Sequence, residues 1–342
     1  MNITQWIEDI ISNPGRKSMP IMTHPGIELI GKKVIDAVTD GEIHFQAIKA
    51  LNERFPDAVA CTTIMDLTVE AEAFGAELRM SENEVPTVST RLLSNFDDVD
   101  RFEVPSLDKA RVPQYLKADA LAAANIDKPV FAGCIGPYSL AGRLYGMTEI
   151  MMAIYTEPDA AALLIEKCTQ FLLGYCKAIK ETGVAGVVLA EPAAGLLSDE
   201  DCYNYSSIFI KRIVNAVQDD NFAVVLHNCG NAGHCTPAMI STGAMGLHFG
   251  NRADMVQALN ICPANLLVMG NVDPVEVFKM SSPEDVFRVV DSLLEKTRKF
   301  PNFVISSGCD TPPDIPLGNI EAFYQAVNKF NHKYALRSDR FP

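Results

Sequence analysis

Three side chains of metal-binding type follow two strand-like stretches in the second half of the chain. His227 and Cys229 come directly after the apolar run 222–226, and Cys309 follows the run 303–305. Residues two apart on an extended segment point to the same side, so we expect His227 and Cys229 to face one point. Neutral imidazole and thiolate are ligands that Zn²⁺ prefers, and three protein ligands leave a fourth position open for chemistry. We therefore predict a zinc site that activates a thiol.

The long separation between these residues is also informative. A structural zinc knuckle usually pairs its ligands locally, as C-x₂₋₄-C, whereas Cys229 and Cys309 are far apart in the sequence. A whole fold is needed to bring them together. The alternative is that the cysteines are small buried hydrophobic residues, a common role that we expect for most of the nine in this chain.

Composition excludes several classes of protein. The 342 residues are 48% hydrophobic and 21% charged, which is typical of a globular protein with a sizeable core. We see no apolar run long enough to span a membrane and no signal-peptide pattern at the N-terminus. Nine cysteines at irregular spacing favour reduced thiols and a cytoplasmic location. A net charge of −14 disfavours nucleic acid and anionic membranes as partners.

The order of apolar and amphipathic stretches predicts the fold class. Eight strand-like runs begin near residues 20, 58, 129, 185, 222, 246, 266 and 303. Helical patterns lie between or beside them, over residues 3–12, 40–55, 69–75, 159–181, 198–218, 283–298 and 319–333. This alternation predicts an α/β protein, a (β/α)₈ TIM barrel with an N-terminal helical extension and a small insertion over residues 81–118. We expect a single domain over residues 1–342.

The active site of such a barrel lies at the carboxyl ends of its strands. We expect polar side chains from several strands to converge there, although the geometry of each is open. The candidates are His24, Asp66, Cys134, Glu191, His227, Cys229, His248, Asp273 and Cys309. Asp310 and Asp273 fit a loop-shaping role better than a catalytic one.

Several motifs are spread over nearly the whole chain. They are Met65-Asp66-Leu67-Thr68-Val69-Glu70-Ala71 with Phe74-Gly75, Gly136-Pro137-Tyr138-Ser139-Leu140-Ala141, Glu191-Pro192-Ala193, His227-Asn228-Cys229-Gly230, Gly270-Asn271-Val272-Asp273-Pro274 and Ser307-Gly308-Cys309-Asp310. Together they resemble the uroporphyrinogen decarboxylase superfamily. The H-x-C motif with a distant cysteine is similar to the pattern of its zinc-dependent methylcobamide:thiol methyltransferases, notably the methylcobamide:coenzyme M methyltransferases.

The resemblance implies a mechanism and assigns roles to residues. It implies that His227, Cys229 and Cys309 hold Zn²⁺ and that a small thiol such as coenzyme M occupies the open position. The methyl donor is a methylcobamide, a corrinoid carried on a separate protein. Glu191 is our candidate for a labile fourth ligand, with a loop carboxylate or a partner of a metal ligand as the alternative. Asp66 matches the catalytic aspartate of the decarboxylases and could orient the substrate or a histidine next to the metal; capping a helix N-terminus is the alternative.

Other functions stay open at this point. A porphyrinogen decarboxylase needs cations for a substrate with many carboxylates, and the segment Met22 to Glu28 has no arginine where that family carries M-R-Q-A-G-R-Y. A related methyltransferase loads the corrinoid from a methylated substrate, and a non-catalytic corrinoid-docking module is a third alternative. The acceptor is also open: Arg143 is the candidate cation for a sulfonate, and homocysteine is another acceptor. The family resemblance suggests a homodimer.

Overall fold

The core of the protein is a curved parallel sheet, as the computed structural model shows for residues 1–335. Seven strands pair in the order β1-β4-β5-β6-β7-β8-β9, and every pairing is parallel. A separate two-stranded antiparallel hairpin consists of β2 and β3. The strands are β1 (Cys61–Thr62), β2 (Leu78–Arg79), β3 (Thr87–Val88), β4 (Val130–Ile135), β5 (Gly186–Ala190), β6 (Ala223–Asn228), β7 (Gly246–Phe249), β8 (Leu267–Val272) and β9 (Phe303–Ser307).

An extended segment near the N-terminus fills the gap between the two edges of this sheet. The backbone N–H of Met19 donates to Ile305 O at 3.0 Å, and Ile305 N–H donates to Lys17 O at 3.1 Å. On the other side, the N–H of Val59 donates to Ser18 O at 3.0 Å. The segment therefore takes the position of an eighth strand and completes a ring, which leaves no open sheet edge. The predicted (β/α)₈ barrel is confirmed, with all eight strand-like runs in place.

The barrel encloses a packed interior, and the N-terminal helix closes one end of it. Helix α1 (Ile3–Ser12) buries Ile3, Ile7 and Ile10 against side chains that point into the barrel. Ile3 N–H donates to Asp220 O, just before β6 begins, which places this helix at the amino ends of the strands. The interior side chains in this cluster are Met19, Ile21, Ala60, Met65, Phe131, Val188, Ala190, Ala223, Val225, Leu267, Met269 and Val304.

The remaining helices lie outside the ring and alternate with its strands. Most of their apolar faces pack on the outer face of the sheet and form one large core with it, whereas α2 and α3 form a smaller cluster with Ala47 and Ile64. The helices are α2 (His24–Leu29), α3 (Val34–Thr39), α4 (Gly41–Arg54), α5 (Val69–Ala73), α6 (Val112–Asn125), α7 (Pro137–Tyr145), α8 (Met147–Thr156), α9 (Pro158–Glu181), α10 (Asp199–Cys202), α11 (Ile208–Val217), α12 (Thr236–Ser241), α13 (Met255–Ile261), α14 (Pro283–Lys296) and α15 (Leu317–Ala335).

The sequence-based prediction did not include the helices α2, α3, α7, α8, α12 and α13, and two further stretches differ from it. The helix predicted over residues 198–218 is split into α10 and α11 by a π-helical turn, Tyr203–Ser207. The insertion predicted over residues 81–118 contains one strand of the β2–β3 hairpin, a 3₁₀ turn at Phe96–Asp98 and the first half of α6. Neither feature is encoded by a periodic apolar pattern, because both are held by contacts with other parts of the fold.

All nine cysteines are free thiols. Within residues 1–335, the structure has no helix long and apolar enough to cross a bilayer. The assignment of residues 1–342 to one domain stays a prediction, and residues 336–342 lie outside the described residues.

Candidate metal centre

The three predicted zinc ligands lie together at the carboxyl end of the barrel. His227 is the next-to-last residue of β6, and Cys229 comes directly after that strand. Cys309 comes two residues after the end of β9. One donor atom from each residue lies within 4.8 Å of the other two. His227 is 1% exposed, and the two cysteines are half-buried. Parallel strands end at the same rim of a barrel, which explains how residues so far apart in sequence meet.

Close backbone approach holds the two cysteine-bearing loops near each other. A Cβ atom added to Gly250, just after β7, would lie 2.6 Å from both Cα and O of Cys229. A Cβ atom on Gly308 would lie 2.6 Å from the backbone nitrogen of Asn251. The loop after β7 therefore touches both cysteine loops through positions where only glycine fits. Any side chain there would push the loops of Cys229 and Cys309 apart.

The imidazole of His227 has one paired and one unpaired nitrogen. Its Nδ1 lies 2.8 Å from Nδ1 of His248. Its Nε2 is buried and has no hydrogen-bond partner among the described residues. A buried polar atom without a partner costs free energy, so each such atom in a folded protein needs an explanation, of which a bound ion is one. A metal ion bound by the two sulfurs would give Nε2 its partner.

The two thiols interact with each other. The proximity of the two thiols lowers the pKa of Cys229 and, together with burial, raises the pKa of Cys309 well above its usual range, against the lowering effect of the nearby His227. Two adjacent sulfurs and an unpaired imidazole nitrogen are a suitable donor set for Zn²⁺, with room for a fourth ligand. The residues present therefore fit the metal that the sequence predicted.

Glu191 lies beside this centre, but its carboxylate is turned toward helix α7. Its oxygens accept hydrogen bonds from the backbone N–H groups of Tyr138 (3.1 Å) and Ser139 (2.5 Å). Its own N–H donates to His227 O at 2.8 Å. Burial raises the pKa of Glu191 to about 7, against the lowering effect of the hydrogen bonds from Ser139. The group of possible metal ligands consists of His227, Cys229 and Cys309 and does not include Glu191. The role of Glu191 as a fourth ligand stays a prediction.

Asp66 lies in a buried polar network near the end of β1. One carboxylate oxygen accepts from Arg111 Nη1 and from the hydroxyl of Tyr115 at 2.9 Å. The other accepts from both the N–H (3.0 Å) and the hydroxyl (2.6 Å) of Thr68. Arg111 also contacts Glu72. With all these partners, Asp66 has a clear structural role, and its catalytic role stays a prediction.

A cavity of about 420 Å³ lies at the same end of the barrel, and the segment that follows Cys309 in the chain, from Asp310 to Asp314, lines part of it. His24, Asp310, Thr311 and Lys279 are among the residues that line it. Four buried atoms there have no hydrogen-bond partner among residues 1–335: both ring nitrogens of His24, Oδ1 of Asp310 and Oγ1 of Thr311. Burial works against a charge on His24, but the nearby Asp310 carboxylate outweighs it and raises the pKa of His24. The cavity is thus bordered by a buried histidine–carboxylate pair, with Nδ1 of His24 3.8 Å from Oδ2 of Asp310, and by the cation of Lys279.

The other strand-end candidates have different surroundings. Cys134 is buried with its sulfur 4.0 Å from that of Cys176. Asp273 accepts from the N–H groups of Val275 and Glu276, which is the loop-shaping role predicted for it. Arg143 is half-buried and makes no hydrogen bond or ion pair with any residue in 1–335; burial lowers its pKa.

Sequence reasoning missed two sets of functional neighbours. Ser306 was given no role, and His248 was only one of the strand-end candidates. The pairing of β6 with β7 sets His227 directly opposite His248, and that register was the available signal. Arg111 and Tyr115 lie in the stretch that was predicted only as a small insertion, residues 81–118. No pattern in the sequence connects them to Asp66.

Comparison with known proteins supports one family. The sequence profile of uroporphyrinogen decarboxylase (URO-D) matches residues 13–330. A methylcobamide:CoM methyltransferase, MtbA of Methanosarcina mazei, is 28% identical over 272 residues, 78% of each chain. A uroporphyrinogen decarboxylase of Pseudoalteromonas atlantica is 24% identical over 291 residues, 81% of this chain and 80% of that one. The structure of a methyltransferase from Methanosarcina mazei superposes with a TM-score of 0.85 at 21% identity, covering 95% of this chain and 98% of the other, and so has the same fold. The chain belongs to the uroporphyrinogen decarboxylase family.

Proposed function

We propose that this protein is a zinc-dependent methyltransferase that moves a methyl group from a methylated corrinoid to a thiol. The observation that carries the proposal is the group of His227, Cys229 and Cys309 at the carboxyl end of the barrel, with a buried, unpaired Nε2 on His227. The curated relative MtbA is named a methylcobamide:CoM methyltransferase, which makes coenzyme M a candidate acceptor here. The corrinoid would arrive on a separate protein.

The chemistry that the site must support is a methyl displacement. The acceptor sulfur forms a bond to the methyl carbon while the cobalt–carbon bond breaks, and the electron pair of that bond stays on cobalt, which leaves as Co(I). Zn²⁺ bound at this site would lower the pKa of the acceptor thiol, so that the thiolate persists at neutral pH. The residues of the chain hold the metal and place the sulfur in line with the methyl group.

The cavity lined by His24 and Asp310 is the part of the site that we assign to the acceptor. Asp310 follows Cys309 in the chain, so we place the sulfur of a short thiol at the metal and its polar end in the cavity. His24 and Thr311 line the cavity and would hydrogen-bond that polar end. Arg143, which makes no hydrogen bond or ion pair within residues 1–335, is the second candidate for contact with an anionic acceptor.

For Glu191 and Asp66, the observed contacts favour roles other than metal ligand and catalytic residue. The contacts of Glu191 with helix α7 favour a role in fixing the rim of the barrel next to His227. The contacts of Asp66 with Arg111 favour a structural role. A labile metal contact by Glu191 would require its carboxylate to break its hydrogen bonds with two backbone N–H groups. Whether it does so is a question for experiment.

The alternative functions are less well supported. The first segment of the barrel, residues 22–28, carries no arginine for a porphyrinogen with many carboxylates. Transfer in the opposite direction, from a methylated substrate to the corrinoid, uses the same site and is distinguished only by assay. We also propose a cytoplasmic location, a single domain and a homodimer, in line with the sequence analysis.

The experiment is a methyl-transfer assay with methylcobalamin and a panel of small thiols, coenzyme M and homocysteine among them. Zinc-loaded wild-type protein should convert methylcobalamin to Co(I)-cobalamin and produce the thioether. Cys309→Ala should abolish transfer, whereas Cys61→Ala, at another half-buried cysteine, should not. Zinc-loaded protein that transfers no methyl group in either direction would contradict the proposal and favour a non-catalytic docking role.

A further inference from the structure

A chain of buried hydrogen bonds leads away from the candidate metal centre. Nδ1 of His227 lies 2.8 Å from Nδ1 of His248, and Nε2 of His248 lies 2.8 Å from Oγ of Ser306. The hydroxyl of Ser306 donates to the backbone O of Met19 at 2.7 Å. His227, His248, Ser306 and Met19 are each at most 1% exposed, so water does not compete for these contacts.

The last contact fixes the direction of all the others. A carbonyl oxygen can only accept, so the single hydroxyl hydrogen of Ser306 is used on Met19 O. Ser306 Oγ must then accept from His248, which places the N–H of His248 on Nε2. A neutral imidazole has one N–H, so Nδ1 of His248 is an acceptor. His227 therefore donates from Nδ1, and the lone pair of His227 is on Nε2.

We infer that His248 and Ser306 are positioning residues that hold His227 in the tautomer required of a metal ligand. The inference deepens the proposed function, since it rests on His227 as a ligand. The opposite proton order would put a hydrogen on Nε2 of His227, where it would block the metal. It would also leave the buried carbonyl of Met19 without this donor.

The arrangement couples the ligand to the closure of the barrel. Met19 belongs to the extended segment that hydrogen-bonds to β9 and completes the ring, and Ser306 is on β9 itself. His248 is on β7 and is paired in register with His227 on β6. Three barrel strands and the closing segment thus define one orientation of the His227 ring. A positioning partner of this kind changes metal affinity by about 10- to 100-fold when it is removed.

The first test reads the tautomer directly in metal-free wild-type protein. Long-range ¹H–¹⁵N spectra of ¹⁵N-histidine-labelled protein distinguish Nδ1–H from Nε2–H, and His227→Ala assigns the signal. His44 provides an internal standard, because its Nε2 accepts from the N–H of Ile64 at 2.9 Å and its hydrogen must therefore be on Nδ1. We expect the same Nδ1–H form for His227. An Nε2–H form of His227 would overturn the inference.

The second test measures zinc affinity by competition with a chelator. His248→Leu should weaken zinc binding about 10- to 100-fold, and His248→Gln, which can accept from His227 and donate to Ser306, should recover most of it. His44→Leu removes another buried histidine as a control and should leave zinc affinity unchanged. Zinc binding by His248→Leu equal to that of wild type would refute the inference. If wild-type protein bound no zinc, the proposed metal centre itself would fail, which is a separate result.

Discussion

A substitution in the polar network around Asp66 tests whether the role of Asp66 is structural or catalytic. The substitution Asp66→Asn keeps the size of the side chain and removes its charge. Each carboxylate oxygen of Asp66 accepts two hydrogen bonds, one oxygen from Arg111 and Tyr115, the other from two groups of Thr68. An amide has one NH₂ group and one oxygen. In either orientation the NH₂ group would therefore face two donors.

The expected cost follows from burial. The side chain of Asp66 is 0% exposed and that of Arg111 is 8% exposed. Loss of one member of a buried ion pair destabilises a protein by about 3–5 kcal/mol. Unfolding entropy of about 2.1 cal/mol/K per residue gives about 0.7 kcal/mol/K for a chain of this length. We therefore expect Asp66→Asn to lower Tm by about 4–7 °C.

The assay is thermal unfolding followed by circular dichroism, with zinc content and methyl transfer measured on the same samples. Asp285→Asn is the control, since Asp285 pairs with Arg288 on the surface and should change stability by less than about 1 kcal/mol. Asp66→Asn should be less stable but should bind zinc once folded. If the variant kept the wild-type Tm and zinc content but lost methyl transfer, Asp66 would be a catalytic residue and our structural reasoning would be wrong.

Three further predictions address the surroundings of the site. His24→Ala should raise KM for the acceptor thiol about tenfold with kcat little changed, because one hydrogen bond to the acceptor is lost; an unchanged KM would place the acceptor elsewhere. Gly136→Ala should lower the free energy of unfolding by about 1–3 kcal/mol, since the new Cβ would lie 2.4 Å from Oε2 of Glu191. In urea unfolding, the control Gly174→Ala should not destabilise the protein, because its Cβ would have nothing within 4 Å. Burial raises the pKa of Glu70 from 4.5 to about 7, so between these pH values the folded protein keeps a proton that the unfolded chain releases. The free energy of unfolding should therefore fall by about 3 kcal/mol as pH rises from about 4.5 to 7. Urea unfolding of Glu70→Gln at pH 5 and pH 8 should show that this part of the pH dependence has disappeared; the same slope as wild type would contradict the assignment.

The strands of the barrel could be predicted because their signal is local. Buried parallel strands appear as continuous apolar, β-branched runs that end at polar or glycine residues, and β6 and β9 are clear cases. The long helix α9 has an apolar face that repeats with helical period. These patterns are present in the sequence whatever the rest of the chain does.

The remaining features depend on contacts between distant segments. The network of Asp66 with Arg111 and Tyr115 joins the end of β1 to the start of α6, and no sequence period encodes that contact. Strand register places His248 opposite His227, and residue type alone does not reveal that pairing. Glu191 shows the same limit, because its position at a strand end was clear whereas the direction of its carboxylate depends on helix α7.

The most direct test of the account is the zinc content of purified protein after zinc is supplied. Wild-type protein and Cys61→Ala should contain near-stoichiometric zinc, and His227→Ala and Cys309→Ala should each lose it while remaining folded by circular dichroism. That result would establish the metal centre on which the proposed methyl transfer depends. Wild-type protein that stays free of zinc, or a His227→Ala variant that keeps it, would contradict the central claim.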